Sequence, residues 1–98
     1  MTTKQRAYLK SLAMTMNPIF QIGKESVTDE NIAAIREALE ARELIKINVL
    51  KNCEDDPKSV SIALAEHTFS EVVQVIGRKV VLYKEAYEPK NRKIVLPK

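Results

Sequence analysis

The apolar positions of this chain recur with two periods, one that suits helices and one that suits strands. Tyr8, Leu9 and Leu12 lie at helical spacing in KQRAYLKSLA, and Thr2 followed by Gln5 has the form of a capping box. A first helix is therefore expected from about Lys4 to Ala13. Asn17 and Pro18 break it, and the short apolar run Ile19, Phe20, Gln21, Ile22 reads as a buried strand ending at Gly23. After the loop GKESV, Thr28 is an N-cap, Asp29 and Glu30 suit the positive end of a helix dipole, and Val27 with Ile32 stand in the positions of a hydrophobic staple. Ile32, Ile35 and Leu39 form the apolar stripe of this second helix, which is expected to end near Arg42 or Glu43.

The pattern then changes to alternation. In LIKINVL, Ile45, Ile47 and Val49 share one face of a strand while Lys46 and Asn48 share the other, so one face is dry and the other at least partly wet. Asp56 and Pro57 combine a cap with proline at the first helical position, which predicts a third helix from Pro57 to about Thr68 with Val60, Ala63 and Leu64 on its buried side. Two β-branched runs in EVVQVIGRKVVLYK are separated by Gly77 and Arg78, the spacing of a two-residue hairpin. The tail from about residue 85 is basic, and its run Ile94 to Leu96 is expected to dock as a weak strand. The order predicts a single α/β domain over residues 1–98, α-β-α-β-α-β-β, with a mixed four-stranded sheet and two right-handed crossovers.

Composition narrows the class. A chain of 98 residues sustains one core, and 45% hydrophobic with 30% charged residues is the balance of a globular protein. No apolar run is long enough to span a bilayer, and MTTKQRAYLK lacks the apolar block of a secretory signal, so a cytoplasmic protein with no membrane partner is expected. Sixteen Lys and Arg against thirteen Asp and Glu leave a net charge of +3, a mild basic excess that suits a polyanionic partner without requiring one.

An acid–base enzyme needs convergent titratable groups, and this chain is poor in them. Its one histidine, His67, stands near the end of the third helix and reads as a helix-end residue. Its one cysteine, Cys53, lies in NCEDD, where Glu54, Asp55 and Asp56 oppose thiolate formation, and reads as an ordinary loop thiol. A hydrolase built on Cys53 and His67 lacks a partner residue. A single thiol cannot build a zinc cage, and three consecutive carboxylates lack the spaced ligands of a calcium loop. No catalytic residue, metal, cofactor or small-molecule substrate is therefore expected. Tyr8, Tyr83 and Tyr87 are able to stack on bases, but Tyr8 and Tyr83 lie in segments that bury an apolar face and read as core.

Two features point to binding. Gly23 and Lys24 lie between a strand and a helix start, where backbone amides can approach a phosphate. Asp29 and Glu30 already occupy the positive end of that dipole, however, and a tight turn with a solvated lysine accounts for the same residues. The second feature is the placing of cations: Lys4, Arg6 and Lys10 on the first helix, Lys46 on the wet strand face, and Arg78, Lys79 and Lys84 flanking the hairpin. On a shared face they would form an RNA footprint.

The strings IGKESVTDENI, ALEARELIKINVL and VQVIGRKVVLYK, in this order and spacing, resemble the CRM domain family (chloroplast RNA splicing and ribosome maturation), specifically its stand-alone bacterial YhbY-like members, over nearly the whole chain. The resemblance implies a fold related to the C-terminal domain of translation initiation factor three, RNA binding, association with precursors of the large ribosomal subunit, and no catalysis. It also implies a GxxG loop like that with which KH domains clamp a nucleic-acid backbone, aligned here with Gly23, Lys24, Glu25 and Ser26. Ser26 departs from the second glycine and Glu25 adds a negative charge. Lys24 is then the main electrostatic contributor, with the Ser26 hydroxyl able to bond a phosphate. Phe69 replaces a glycine often found after the third helix, a change expected to alter the helix exit and not the RNA site.

Two functions from different classes follow. One is a monomeric assembly factor that binds ribosomal RNA or the precursor large subunit. The other is a protein-interaction module that docks a ribosomal protein, or a second copy, through an open sheet face or edge strand. Convergence of the basic side chains separates them.

Overall fold

Each helix begins where a side chain can satisfy its first amides. In the computed structural model, which describes Met1 to Lys98, the chain runs α1 (Thr3–Ala13), β1 (Phe20–Ile22), α2 (Asp29–Arg42), β2 (Leu44–Val49), α3 (Pro57–Thr68), β3 (Glu71–Ile76), β4 (Lys79–Tyr83) and a 3-10 turn at Pro89–Asn91. Thr2 and Gln5 bond reciprocally as a capping box, and Thr28 forms a second one with Asn31. Asp56 accepts the N–H of Ser59 ahead of Pro57.

The sheet order is β1-β2-β4-β3, with β1 parallel to β2 and β4 antiparallel to both of its neighbours. β2 and β3 therefore run the same way with β4 between them, so α2 and α3 are both crossovers. Gly77 adopts a φ of +57°, which lets the β3–β4 turn close in two residues.

The larger core lies between the sheet and α2 with α3. Ile22, Ile45, Ile47, Val49, Val80 and Leu82 meet Ile35, Leu39, Val60 and Leu64, and the loop thiol of Cys53 turns inward to join them. Complete burial of side chains such as Ile47 or Leu64 stabilises the fold by roughly 1.5–3 kcal/mol each. A smaller core fills the other face, where Leu9 and Ala13 of α1 cover Leu44, Val73, Val81 and Tyr83, with Ile94 and Leu96 of the tail packed at its margin.

Three expectations need correction. Ile94 to Leu96 docks but adds no strand, because the N–H groups of Lys93 and Ile94 donate to the Glu43 carboxylate at 2.7 and 2.9 Å and not to a neighbouring strand. Tyr8 is not core. It lies on the outer flank of α1, 38% exposed, while Leu9 is fully buried. The exit of α3 is not altered by Phe69 either: the residue takes the left-handed conformation (φ 55°, ψ 39°) that glycine would, and its N–H donates to the carbonyl of Ala65.

Candidate nucleic-acid interface

α1 covers only one end of its sheet face. Its contacts are with Leu44, Val73, Val81 and Tyr83, and the opposite end of that face is left open. Strand alternation and register place Gln21, Asn48, Lys79 and Ile76 side by side in one row across all four strands there. Lys46 and Gln74 flank Val81 in the next row. Gln21 is exposed, Ile76 is 59% exposed, and Lys46, Asn48, Gln74 and Lys79 are half-buried. Their polar ends can reach solvent while their stems lie along the sheet.

The GKES loop and the hairpin turn rim this same end. Leu50 N–H donates to Ile22 at 2.8 Å and Val49 N–H to Arg78 at 2.7 Å, which ties the ends of β1, β2 and β4 together. Within the loop, Ser26 N–H donates to the Gly23 carbonyl at 2.9 Å, closing a tight turn. Gly23 does not need to be glycine for the turn: a Cβ there would sit 3.5 Å from Leu50 Cδ1 and 3.8 Å from Asn52 Oδ1, ordinary contacts. Ser26 is the residue with left-handed backbone, at φ 57°, so the backbone asks for glycine at the second position of the motif and receives serine.

The charge around this loop is mixed. The Ser26 hydroxyl donates to Asp55 Oδ2 at 2.6 Å, so it is engaged within the protein. A shallow hollow of about 270 Å³ over the turn is lined by Lys24 but also by Glu25 and Glu30. The Asp56 carboxyl at the start of α3 is held below the usual carboxylate range by the N–H and hydroxyl of Ser59, and with Glu54 and Asp55 it makes the adjoining loop acidic. Lys24 is an exposed cation at the rim, but the amino end of α2 offers no seat for a free anion.

The other cations divide by type. Arg6 donates to the carbonyls of Val72 and Val73 and lies 3.9 Å from Glu71, fastening α1 to β3. Arg78 donates to Val49 and Leu50, both at 2.7 Å, and fastens the hairpin to the end of β2. Lys4 and Lys10 are exposed on α1. Lys84, after the last residue of β4, stands at the opposite end of the sheet from Lys79. The structure thus brings Gly23, Lys24, Ser26, Lys46, Arg78 and Lys79 to one end, with Arg78 committed to the frame, and leaves Lys84 at the other. Gln21, Gln74 and Ile76 were not legible as neighbours of Lys79 because their juxtaposition depends on strand order. Asn48 was already marked by alternation. No group of three metal-ligating side chains assembles anywhere, and no helix is long and apolar enough to cross a membrane.

These features define a small α/β module whose open surface is a polar strip of sheet with lysines on it. The chain belongs to the CRS1/YhbY (CRM) domain family, an RNA-binding family, which it matches over residues 1–84. It is 52% identical over 97 residues to "Probable RNA-binding protein YqeI" of Bacillus subtilis (strain 168), covering 99% of each chain. It is also 35% identical over 90 residues to an RNA-binding protein of Haemophilus influenzae, covering 92% of this chain and 91% of that one. The solution structure of the hypothetical protein SAV1595 from Staphylococcus aureus, an RNA-binding candidate, has the same fold, with a TM-score of 0.79 at 48% identity and 99% coverage of both chains.

Proposed function

We propose that this protein binds ribosomal RNA in precursors of the large subunit and serves ribosome assembly as a cytoplasmic monomer, by binding and without catalysis. The observation that carries this reading is the open strip Gln21, Asn48, Lys79 and Ile76, with Lys46 behind it and Lys24 at its rim. The lysines neutralise phosphates, and the amides of Gln21, Asn48 and Gln74 supply donors and acceptors for sugar and base edges. The YqeI-like and Haemophilus relatives, named for RNA binding, favour the same partner.

The protein-docking alternative through a sheet edge is less well served. β3, an edge strand, is irregular between Val72 and Gln74, and Arg6 covers the carbonyls of Val72 and Val73 that an added strand would need. The test is RNA affinity against salt. With three to five phosphates contacted, the log–log slope is expected at about −2 to −4. Lys46→Glu and Lys79→Glu should each weaken binding with unchanged melting, and a flat salt response overturns the reading. Crosslinking in cells followed by sequencing should recover large-subunit precursor RNA, and recovery of unrelated RNA alone would remove the assembly role.

A further inference from the structure

Phe69 combines two properties that folding alone does not favour in one residue. Its backbone is left-handed, where glycine is free of strain and a β-carbon is not, and the residue is 76% exposed. An aromatic ring there buries little and strains the α3 exit. Something other than the core accounts for the ring.

The surroundings of Phe69 supply a candidate. The Arg36 guanidinium carbon lies 5.6 Å from the ring centroid, and the guanidinium is fixed by two bonds to the His67 carbonyl, from Nε at 3.0 Å and Nη2 at 2.6 Å. Arg36, Phe69, Thr68 and Lys84 line a hollow of about 270 Å³ with Glu40 and Glu85. Both carboxylates have partners away from the ring: Glu40 accepts the N–H groups of Tyr87 and Glu88 and the amide of Asn91, keeping a charge that Lys84 offsets, and Glu85 lies 3.6 Å from Arg92. The only ion pairs in the molecule belong to Arg6 and Arg92, so Arg36 and Lys84 are cations without a carboxylate within 4.0 Å.

A planar ring braced by a fixed guanidinium, beside a lysine held in no close ion pair, matches a flat π-system attached to a phosphate. We propose that Phe69 and Arg36 form a stacking platform for an unpaired base of RNA, with Lys84 facing its phosphate, at the end of the sheet opposite the open strip. This rests on the RNA-binding reading above and adds a second, single-strand-specific contact to it. The ring offers stacking to any base and no edge-specific hydrogen bonds, so the site selects unpaired nucleotides and not a sequence.

The chain contains no tryptophan, so Phe69→Trp places a sole reporter at the site. Titration with a short oligoadenylate should quench its emission saturably, while a blunt RNA duplex should not. In the otherwise unaltered protein, Phe69→Gly should weaken oligoadenylate binding on the order of ten-fold, leave duplex binding unchanged and not lower the melting temperature. Loss of binding with native or raised melting cannot be ascribed to unfolding. If Lys79→Glu weakens binding to both RNAs while Phe69→Gly changes neither and Phe69→Trp is not quenched, the stacking site is overturned and the RNA reading stands. If the unaltered protein binds neither RNA, both readings fall.

Discussion

α2 passes into β2 through Glu43, and α3 passes into β3 through Phe69. Both residues have positive φ, 66° and 55°, and neither is glycine, so each exit carries backbone strain of about 1–3 kcal/mol. At Glu43 the strain is offset where it arises. The residue is fully buried, its carboxylate accepts the N–H groups of Ala86, Lys93 and Ile94 at 2.7–2.9 Å, and its carbonyl accepts that of Lys84. Glu40, one turn earlier, gathers Tyr87, Glu88 and Asn91 in the same way. At Phe69 the backbone keeps its bond to Ala65, but the side chain projects largely into solvent with Arg36 against it. The first exit uses its unusual residue to hold the tail. The second leaves its unusual residue facing outward, where an external partner can reach it.

Placing glycine at both exits breaks the comparison most directly. Glu43→Gly relieves the backbone but removes the acceptor for three amides, one of them the buried N–H of Ala86, and should destabilise the protein by about 3 kcal/mol. For a chain of this size that is a fall in Tm of more than about 10 °C by thermal melting. An unchanged Tm would mean that the tail contributes nothing to the fold. The same anchoring predicts a pH dependence. Burial pushes the Glu43 carboxyl up, but the N–H groups of Ala86, Lys93 and Ile94, aided by Arg92, outweigh it and leave the folded value below the ordinary 4.5. Glu40 is lowered too, first by the Asn91 amide and then by the Tyr87 and Glu88 N–H groups. A group with a depressed folded value contributes stability that is complete above the unfolded value and is lost as pH falls through the folded one. Melting temperature should therefore decline below about pH 4.5 in the native protein and decline less in Glu43→Gly. Equal acid sensitivity in both would assign the loss to other carboxylates.

Phe69→Gly should act with the opposite sign. It removes left-handed strain and gives up one exposed cation–π contact, a net gain of roughly 0.5–1 kcal/mol. A rise in Tm of about 4 °C is expected, and a fall would show that the ring holds α3 to α2.

The contrast between these exits also marks what could be read in advance. Helix starts were legible because Thr2, Thr28 and Asp56 act on amides three residues away, and the hairpin because Gly77 sits between two β-branched runs. The positions that depend on distant partners were not. Nothing local tells that Glu43 bonds residues 43 to 51 positions later, or that Lys93 and Ile94 thereby lose their chance to join a strand. The same holds for the candidate site. Lys46 and Asn48 were assigned to one face by alternation, but that Lys79 stands beside Asn48 while Lys84 lies at the far end follows from strand order β1-β2-β4-β3. Arg6 and Arg78 looked like the lysines by charge and differ from them by geometry, because a guanidinium can fork between two carbonyls.

Ser26 lies between the two extremes and gives the smallest expected effect. It has the left-handed backbone of Phe69, at φ 57°, and a weaker form of the anchoring at Glu43, a single hydrogen bond from its hydroxyl to Asp55. Ser26→Gly removes strain of about 1 kcal/mol and an exposed hydrogen bond contributing about 0.5 kcal/mol, so a gain of a few tenths and a rise in Tm of about 2 °C should result. The turn itself survives, since it is closed by the Ser26 N–H and the Gly23 carbonyl. Because the hydroxyl is held by Asp55, its removal takes no donor from the RNA, while the absence of a β-carbon lets a phosphate approach the turn more closely. RNA affinity should therefore rise modestly, about two-fold. A measured fall in affinity, with Tm raised as expected, would show that the hydroxyl leaves Asp55 for a phosphate on binding, and would place Ser26 among the RNA contacts after all.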